Sequence, residues 1–488
     1  MGHPRGLATL FFTEMWERFS YYGMRALLLL YITAAAGAGG LGLSDQQGGA
    51  IYGLYTAAAY LSCLPGGWIA DRLLGQRKSV FWGGVLISLG NFVLAVPAGM
   101  TVFYLGLLLI CLGTGMLKTN CSSLVGSLYE GDSGSRRDAA FSIYYVGINL
   151  GALSPLVVGT IGETLGYRWG FLASGIGMVL GLIQYRVTGN WLGTIGLAPH
   201  PAPAPDRKRA QRLLQGGLVL LGILVLLAAL GVLHMDVVQL AGATGAAMVA
   251  LAIVFFGSVL LFGKLTTPEK KSVAVIAIFF VCAALFWAGY EQAGSTLNLF
   301  ARDHTDRSLF GGFFPSGQHP VSWYQIAQAI FVLVFAPVFA WIWVTLGRRG
   351  RDPSAGAKFC LGLLQLGLSF VVMMIATRLV LSTGHRVLPG WLILTYLLQT
   401  TGELCLSPIG LSNVTKLAPS RFSAQMMGIW FLGAAIGNLA AGLIGGQISS
   451  GVADMPAQFL RMALIGCVSG FIMLLLARPV RAWMGRTS

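Results

Sequence analysis

The sequence predicts an all-α membrane protein, and three observations support this fold class. The 488 residues are 56% hydrophobic and only 10% charged, with a mean hydropathy of +0.74, whereas soluble domains carry about 25% charged residues. Fourteen separate apolar runs are each long enough to cross the roughly 30 Å hydrocarbon core of a bilayer. The basic residues between these runs fall mainly on one side of the predicted membrane.

The predicted spans follow one another with short connections through almost the whole chain. They extend over residues 9–36, 47–70, 79–99, 101–127, 139–163, 168–190, 211–233, 238–263, 272–300, 321–346, 356–381, 389–415, 422–448 and 457–477.

The distribution of basic residues predicts the orientation in the membrane. Of the 32 lysines and arginines, 23 lie on the same side as the N-terminus, six lie on the opposite side and three lie within spans. This bias places both termini in the cytoplasm and indicates a multi-pass protein of the cytoplasmic (inner) membrane. The net charge of +15 is therefore explained by topology, and no nucleic acid partner is expected.

A change in composition after the sixth span predicts the domain organisation. A stretch rich in proline and alanine runs into a basic cluster, which is typical of a linker. The two spans that follow it have no charged residue in their interiors, so we expect an inserted hairpin. The predicted parts are an N-terminal six-helix bundle at 1–190, a cytoplasmic linker at 191–210, a transmembrane hairpin at 211–264 and a C-terminal six-helix bundle at 265–488.

The first span carries charges at membrane depth. Its polar residues recur at the spacing of one helix face, and they are Glu14, Glu17, Arg18, Tyr21, Tyr22 and Arg25. A charge inside a membrane helix costs a few kcal/mol, about 2.5–3.5 on insertion scales, and normally faces a bundle interior or a wet cavity. The first span therefore predicts one wall of a polar path.

Three further charged residues lie deep in other spans, namely Lys118, Glu291 and Glu403. Buried ion pairs that only lock helices together would also explain such charges, although desolvation makes them costly. Arg18 lies one turn after Glu14, and a structural and a functional role remain equally open for it. Glu291 and Glu403 have no basic neighbour one turn away, so each can change its protonation when a partner moves.

Several uncharged residues are candidate pocket residues with an equally plausible packing role. Phe141, Tyr144, Tyr145 and Asn149 fall on or near one face of the fifth span, and Trp287 and Trp430 lie away from the span ends. Tyrosine at membrane depth is often only a core residue with a satisfied hydroxyl.

The sequence lacks the usual signatures of enzymes and metal sites. It contains no HExxH, no nucleotide-binding glycine loop attached to a strand, no CxxC and no Ser-His-Asp order. The seven cysteines lie inside apolar segments without paired spacing, which indicates buried free thiols. We therefore expect neither an enzyme nor a metal site.

Several motifs resemble a known family. The loop with Gly67, Asp71, Arg72, Gly75, Arg77 and Lys78 is similar to one in the major facilitator superfamily. More specifically, the chain resembles the proton-dependent oligopeptide transporter family, a branch of that superfamily. The motifs are E-x-x-E-R-F-x-Y-Y-G at Glu14 to Gly23, GTGMLKTN at Gly113 to Asn120, FSIYYVGINLGALSPL at Phe141 to Leu156, FWAGYEQ at Phe286 to Gln292 and GELCLSPIGLSNVTKLAP at Gly402 to Pro419.

The resemblance implies the major facilitator fold and symport of di- and tripeptides with protons by alternating access. It implies that Arg25 and Lys118 meet the peptide carboxylate and that Glu403 meets its ammonium group. The remaining implied peptide-binding residues are Tyr21, Tyr22, Tyr60, Asn149, Trp287, Gln328 and Trp430, although Gln328 stands where many members place Asn. Proton coupling would involve Glu14, Glu17, Arg18 and Glu291, with Glu291 pairing with Arg25.

Two alternatives remain open from the sequence. The chain could transport another solute, such as nitrate or a peptide-like compound, or it could be a peptide sensor that does not transport. The expected partners are peptides, protons and the lipid bilayer, with no cofactor other than the coupling proton and with a monomeric state.

Overall fold

The computed structural model describes residues 2–131, 134–199, 204–232, 236–448 and 452–484. In this part of the chain, fourteen helices have 17 residues or more, and each corresponds to one predicted span. By length and composition, ten of the described helical segments are apolar enough to cross a bilayer. An isolated bridge joins Thr305 to Val387. The all-α prediction is confirmed.

Seventeen α-helices follow one another in the described residues. They are α1 (Gly6–Thr33), α2 (Asp45–Leu61), α3 (Cys63–Ile69), α4 (Gln76–Leu94), α5 (Gly99–Ser127), α6 (Gly134–Gly151), α7 (Val158–Leu165), α8 (Tyr167–Thr188), α9 (Ala204–Ala229), α10 (Val237–Phe262), α11 (Thr267–Tyr290), α12 (Thr296–His304), α13 (Ile326–Arg348), α14 (Ala355–Thr383), α15 (Gly390–Leu417), α16 (Ser423–Ile448) and α17 (Met455–Met484).

Three predicted spans are interrupted in the structure. The second is divided into α2 and α3 close to Pro65, and the fifth into α6 and α7 around Pro155. Proline has no N–H to donate and disrupts the preceding turn. The ninth is divided into α11 and α12 by a tight turn at Glu291–Gly294. A charged candidate residue therefore lies at a helix end.

The chain divides into two compact units, which are described separately. One contains Met1–Tyr31 and Ala58–Asp236, and the other contains Ile32–Ala57 and Val237–Ser488. Residues 200–203 of the predicted linker and 233–235 of the predicted hairpin lie outside the described residues. Of the two hairpin helices, α9 lies in the first unit and α10 in the second.

The first unit is built on close contacts between α1 and its neighbours. Gly147 and Gly151 of α6 lie against α1, as do Gly177 and Gly181 of α8. A Cβ at Gly151 would lie 2.6 Å from Arg18 Cβ, so only glycine permits this approach. In the same unit α4 packs against α5 and α8. This arrangement holds the charged face of α1 next to α6.

In the second unit, α14 packs against α15 and α17, and α11 packs against α16. The early segment Ile32–Ala57 also belongs here. Gly53 of α2 would place a Cβ only 2.8 Å from the carbonyl oxygen of Leu439 and 3.2 Å from Gly442 Cα on α16. The part of α2 around Gly53 therefore contacts α16 almost backbone to backbone.

Candidate functional site

The three charged residues of α1 form one buried cluster. Arg18 Nε lies 3.2 Å from Glu14 Oε1 and 2.5 Å from Glu17 Oε2. The exposed fractions are 2% for Glu14, 0% for Glu17 and 4% for Arg18. One guanidinium thus serves two carboxylates, and the cluster carries one formal negative charge when both acids are ionised. Arg18 is more than the partner of Glu14 alone.

A tyrosine from α6 completes this cluster. The Tyr144 hydroxyl donates a hydrogen bond of 2.6 Å to Glu14 Oε2, and both side chains are buried. Ser122 Oγ lies 3.4 Å from the same hydroxyl. The sequence left the role of Tyr144 open, and the structure places it in contact with a charged candidate residue.

Lys118 of α5 contacts an aromatic side chain in the same unit. Its Nζ lies 4.2 Å from the centroid of the Tyr60 ring, which is within the range of a cation–π interaction. Lys118 also interacts electrostatically with Glu17. The side chain is half-buried, so the ammonium group is held between an aromatic face and a carboxylate while remaining partly accessible.

The remaining candidate residues of α1 continue along its polar face. The Arg18 guanidinium carbon lies 5.2 Å from the Tyr21 ring centroid, and that of Arg25 lies 5.9 Å from the Tyr22 ring centroid. The two tyrosine rings meet edge to face, with centroids 5.3 Å apart. Each of the two arginines on this face therefore lies next to a tyrosine ring of the same helix.

Asn149 of α6 is buried in the same unit, with 6% of its surface exposed. Its side-chain amide donates 2.9 Å to the carbonyl oxygen of Tyr145, one turn earlier.

The second unit contains the acidic candidates. Glu291 directly follows the last residue of α11 and is buried. Glu403 of α15 is half-buried, forms a hydrogen bond with the Tyr290 side chain and interacts electrostatically with Glu291. Two carboxyls from different helices therefore lie near each other, with a tyrosine hydroxyl bound to one of them.

The tryptophans and Gln328 lie on helices of the second unit. The rings of Trp287 and Tyr290 meet edge to face, with centroids 5.3 Å apart. The Gln328 amide donates 3.4 Å to Gln399 Oε1. Trp430 of α16 packs closely against Gly410 of α15. The contacts of Gln328 and Trp430 therefore connect α13 and α16 to α15, the helix that carries Glu403.

Comparison with known proteins identifies the family. The sequence model described as the POT family matches residues 77–460. The chain belongs to the POT family. It is 39% identical over 498 residues to the peptide transporter YePEPT of Yersinia enterocolitica, covering 100% of this chain and 96% of the relative. It is 37% identical to a di-/tripeptide transporter of Lactococcus lactis subsp. cremoris, covering 99% of this chain and 97% of the relative.

Solved structures of POT family transporters share this fold. A peptide transporter crystallised with alafosfalin has a TM-score of 0.89 at 40% identity, covering 99% of this chain and 96% of that chain. A POT transporter in complex with 5-aminolevulinic acid has a TM-score of 0.88 at 34% identity, covering 98% and 97%. The resemblance and the major facilitator fold are confirmed, and this POT protein is a multi-pass membrane transporter and not an enzyme.

Three residues that contact the candidate site residues were not among the site residues predicted from the sequence. Tyr144 contacts Glu14, Tyr290 contacts Glu403, and Gln399 contacts Gln328. Tyr144 and Tyr290 had a signal, since each lies within a recognised motif and Tyr290 is adjacent to Glu291. Gln399 precedes the Gly402 motif by three residues and had no distinguishing pattern.

Proposed function

We propose that this protein carries di- and tripeptides into the cell together with protons, by alternating access. The observation that carries the proposal is the presence of opposite charges at membrane depth on the two units. Arg25 and Lys118 lie on the first unit, and Glu403 lies on the second. A short peptide is a zwitterion and needs a cation for its carboxylate and an anion for its ammonium group. Similarity along the full length to named peptide transporters supports this assignment.

In this proposal, Lys118 and Arg25 bind the peptide carboxylate and Glu403 binds the amino terminus. The contact between Lys118 and the Tyr60 ring supports the role of the lysine, because it orients the ammonium group while leaving the side chain half-buried. Aromatic walls tolerate varied side chains because their contacts are mostly apolar. The proposed wall residues are Tyr21, Tyr22, Tyr60, Trp287 and Trp430, and Asn149 and Gln328 provide polar contacts to the peptide backbone.

The proposed proton-coupling residues are Glu14, Glu17, Arg18 and Glu291. All four are buried, and a buried carboxyl binds or releases a proton when its charged partner moves. Arg18 contacts both carboxylates of α1, so a proton on either carboxylate frees the guanidinium for the other. The coupling ion is the proton, and no further cofactor is proposed.

We further propose a monomer in the cytoplasmic membrane with both termini in the cytoplasm. The orientation is supported by the distribution of lysines and arginines, with 23 on the side of the termini and six on the opposite side. Cysteine-accessibility labelling of single thiols in the segments around Arg77 and Arg307 tests this orientation, since they are proposed to face opposite sides.

Uptake by purified protein in proteoliposomes tests the function. A proton crossing a potential of 100 mV gains about 2.3 kcal/mol, which corresponds to roughly fifty-fold accumulation per symported proton. Net accumulation of labelled dialanine is therefore expected only with an inward proton gradient. Counterflow, in which labelled dialanine enters liposomes loaded with unlabelled dialanine, is expected without a gradient. Binding without either form of uptake would refute transport and favour a peptide sensor.

A matched pair of lysine variants separates recognition from stability. Lys118→Gln removes the proposed carboxylate partner and is expected to lower dialanine affinity at least tenfold, about 1.4 kcal/mol. Lys358→Gln removes a buried lysine of the second unit that pairs with Asp352 over 2.8 Å. It is expected to lower stability while leaving dialanine affinity unchanged. Equal affinities for the two variants would contradict the role of Lys118.

A further inference from the structure

The two carboxylates of α1 have different surroundings. Glu14 is bonded at both oxygens, because Oε1 contacts Arg18 and Oε2 accepts from the Tyr144 hydroxyl. Glu17 Oε2 forms an ion pair with Arg18, and neither of the two buried Glu17 oxygens has a hydrogen-bond partner among the described residues. The two acids are one turn apart and share one arginine, but only Glu14 has a hydroxyl donor from another helix.

The Tyr144 hydroxyl donates directly to the Glu14 carboxyl group over 2.6 Å, which lies within the range of about 2.5–2.7 Å for hydroxyl–carboxylate hydrogen bonds. A donor directed at a carboxylate favours its charged form. A buried carboxylate oxygen without a partner disfavours the charged form, because the oxygen loses its bound water and gains no other hydrogen bond.

The other titratable groups near the pair do not reverse this difference. They come from α1, α3 and α5 of the same unit and are Arg18, Cys63, Lys118 and Cys121. Arg18 is shared by both acids, Lys118 interacts with Glu17, and the buried Cys121 thiol forms a side-chain hydrogen bond with Glu14. Glu14 therefore has neutral partners on both α5 and α6, and Tyr144 is the hydroxyl donor among them.

We propose that Tyr144 is a positioning residue for proton coupling. It keeps Glu14 ionised, and Glu17 is consequently the acid of α1 that takes up a proton from the aqueous side and releases it to the opposite side. Uptake changes the formal charge of the cluster of Glu14, Glu17 and Arg18 from −1 to zero, and release restores it. This inference rests on the proposed proton-coupled transport and adds a division of labour between the two acids.

The test compares two tyrosine variants of the full-length protein in proteoliposomes. Tyr144→Phe removes the hydroxyl that binds Glu14. Tyr185→Phe removes a buried hydroxyl in the same unit that donates 3.2 Å to the neutral carbonyl of Arg77. Dialanine counterflow and gradient-driven uptake are measured for both variants and for the unmodified protein across a series of external pH values.

Tyr144→Phe is expected to keep counterflow and to move the pH midpoint of driven uptake upward by about one unit. Without the donor, the ionised form of the pair is less favoured, so a proton is bound at a lower proton concentration. One pH unit is a tenfold change in proton concentration and corresponds to about 1.4 kcal/mol. Tyr185→Phe is expected to keep the unmodified midpoint.

An unchanged midpoint in Tyr144→Phe would overturn the inference, and so would equal losses of counterflow and driven uptake, which indicate a purely structural role. An infrared titration of the carboxyl C=O band in the same liposomes reads protonation without requiring transport. In the Glu14→Gln background, Tyr144→Phe should no longer shift this titration. If the unmodified protein shows no driven uptake, the proposed function fails, whereas the infrared titration still tests the effect of Tyr144 on Glu14.

Discussion

Replacing Gly53 by alanine is expected to destabilise the second unit through a single added methyl group. Gly53 lies in the part of α2 that packs on α16. Its added Cβ would lie 2.8 Å from the carbonyl oxygen of Leu439 and 3.2 Å from Gly442 Cα. Both neighbours are backbone atoms of a helix, so the methyl group is accommodated only if the two helices separate.

The size of the effect follows from two opposing contributions. Overpacking of this kind costs about 1–3 kcal/mol, while alanine is favoured over glycine in a helix by about 0.5–1 kcal/mol. Gly242→Ala on α10 provides the control, because no atom lies within 4 Å of a Cβ there. The helix-propensity gain is common to both variants, so the difference between their stabilities isolates the packing cost of about 1–3 kcal/mol.

The seven cysteines provide the assay. All are free, six are buried and Cys467 is half-buried, so unfolding in detergent exposes thiols to a dye that fluoresces on reaction. The midpoint of thermal unfolding for Gly53→Ala is expected below that of the unmodified protein, and that for Gly242→Ala at or above it. Equal midpoints for the two variants would refute the close contact between α2 and α16.

Three further predictions concern charged and titratable groups. Arg18→Met leaves two buried carboxylates without their shared cation and is expected to cost about 3–5 kcal/mol at neutral pH. Its thermal midpoint should recover in acid, where both carboxyls bind protons. Glu291→Gln is expected to abolish gradient-driven dialanine uptake while counterflow partly survives, and equal loss of both would argue against coupling. Burial lowers the pKa of His319, which lies 3.0 Å from the Tyr324 hydroxyl and near Asp306 and Arg307. Its folded pKa lies below the unfolded value of about 6.5, so the stability of this loop is full above that pH and declines below it. The protection of amides in the segment 305–325, measured relative to the intrinsic exchange rate at each pH, should therefore decrease in acid, and His319→Gln should remove this dependence.

The periodicity of the first span was sufficient to predict one half of the α1 cluster. Residues three and four apart must share a helix face, so contact of Arg18 with Glu14 follows from sequence spacing. The contact with Tyr144 depends on which helix packs against α1, and spacing within one helix carries no such information. Glycines at 147 and 151 allow that approach, but many apolar spans contain glycine for other packing reasons.

Helix interruptions were predictable only where proline causes them. Pro65 and Pro155 lie near the breaks in the second and fifth spans, and proline cannot continue the hydrogen-bond ladder. The break at Glu291–Gly294 has no proline, and the surrounding residues read as a continuous apolar span. Similarly, the packing of Ile32–Ala57 within the second unit is a tertiary arrangement that a linear division of the sequence does not reveal.

The charges on α1 also affect how this protein enters the membrane during synthesis. This helix is made before α5 and α6, and it is absent from the described helices that are apolar enough to count as spans. Each central charge adds about 2.5–3.5 kcal/mol to the apparent cost of insertion. The residues that contact these charges, Lys118 and Tyr144, are made roughly one hundred residues later. Stable insertion of α1 therefore awaits α5 and α6, and truncated chains that end before α6 should fail to retain it in the bilayer.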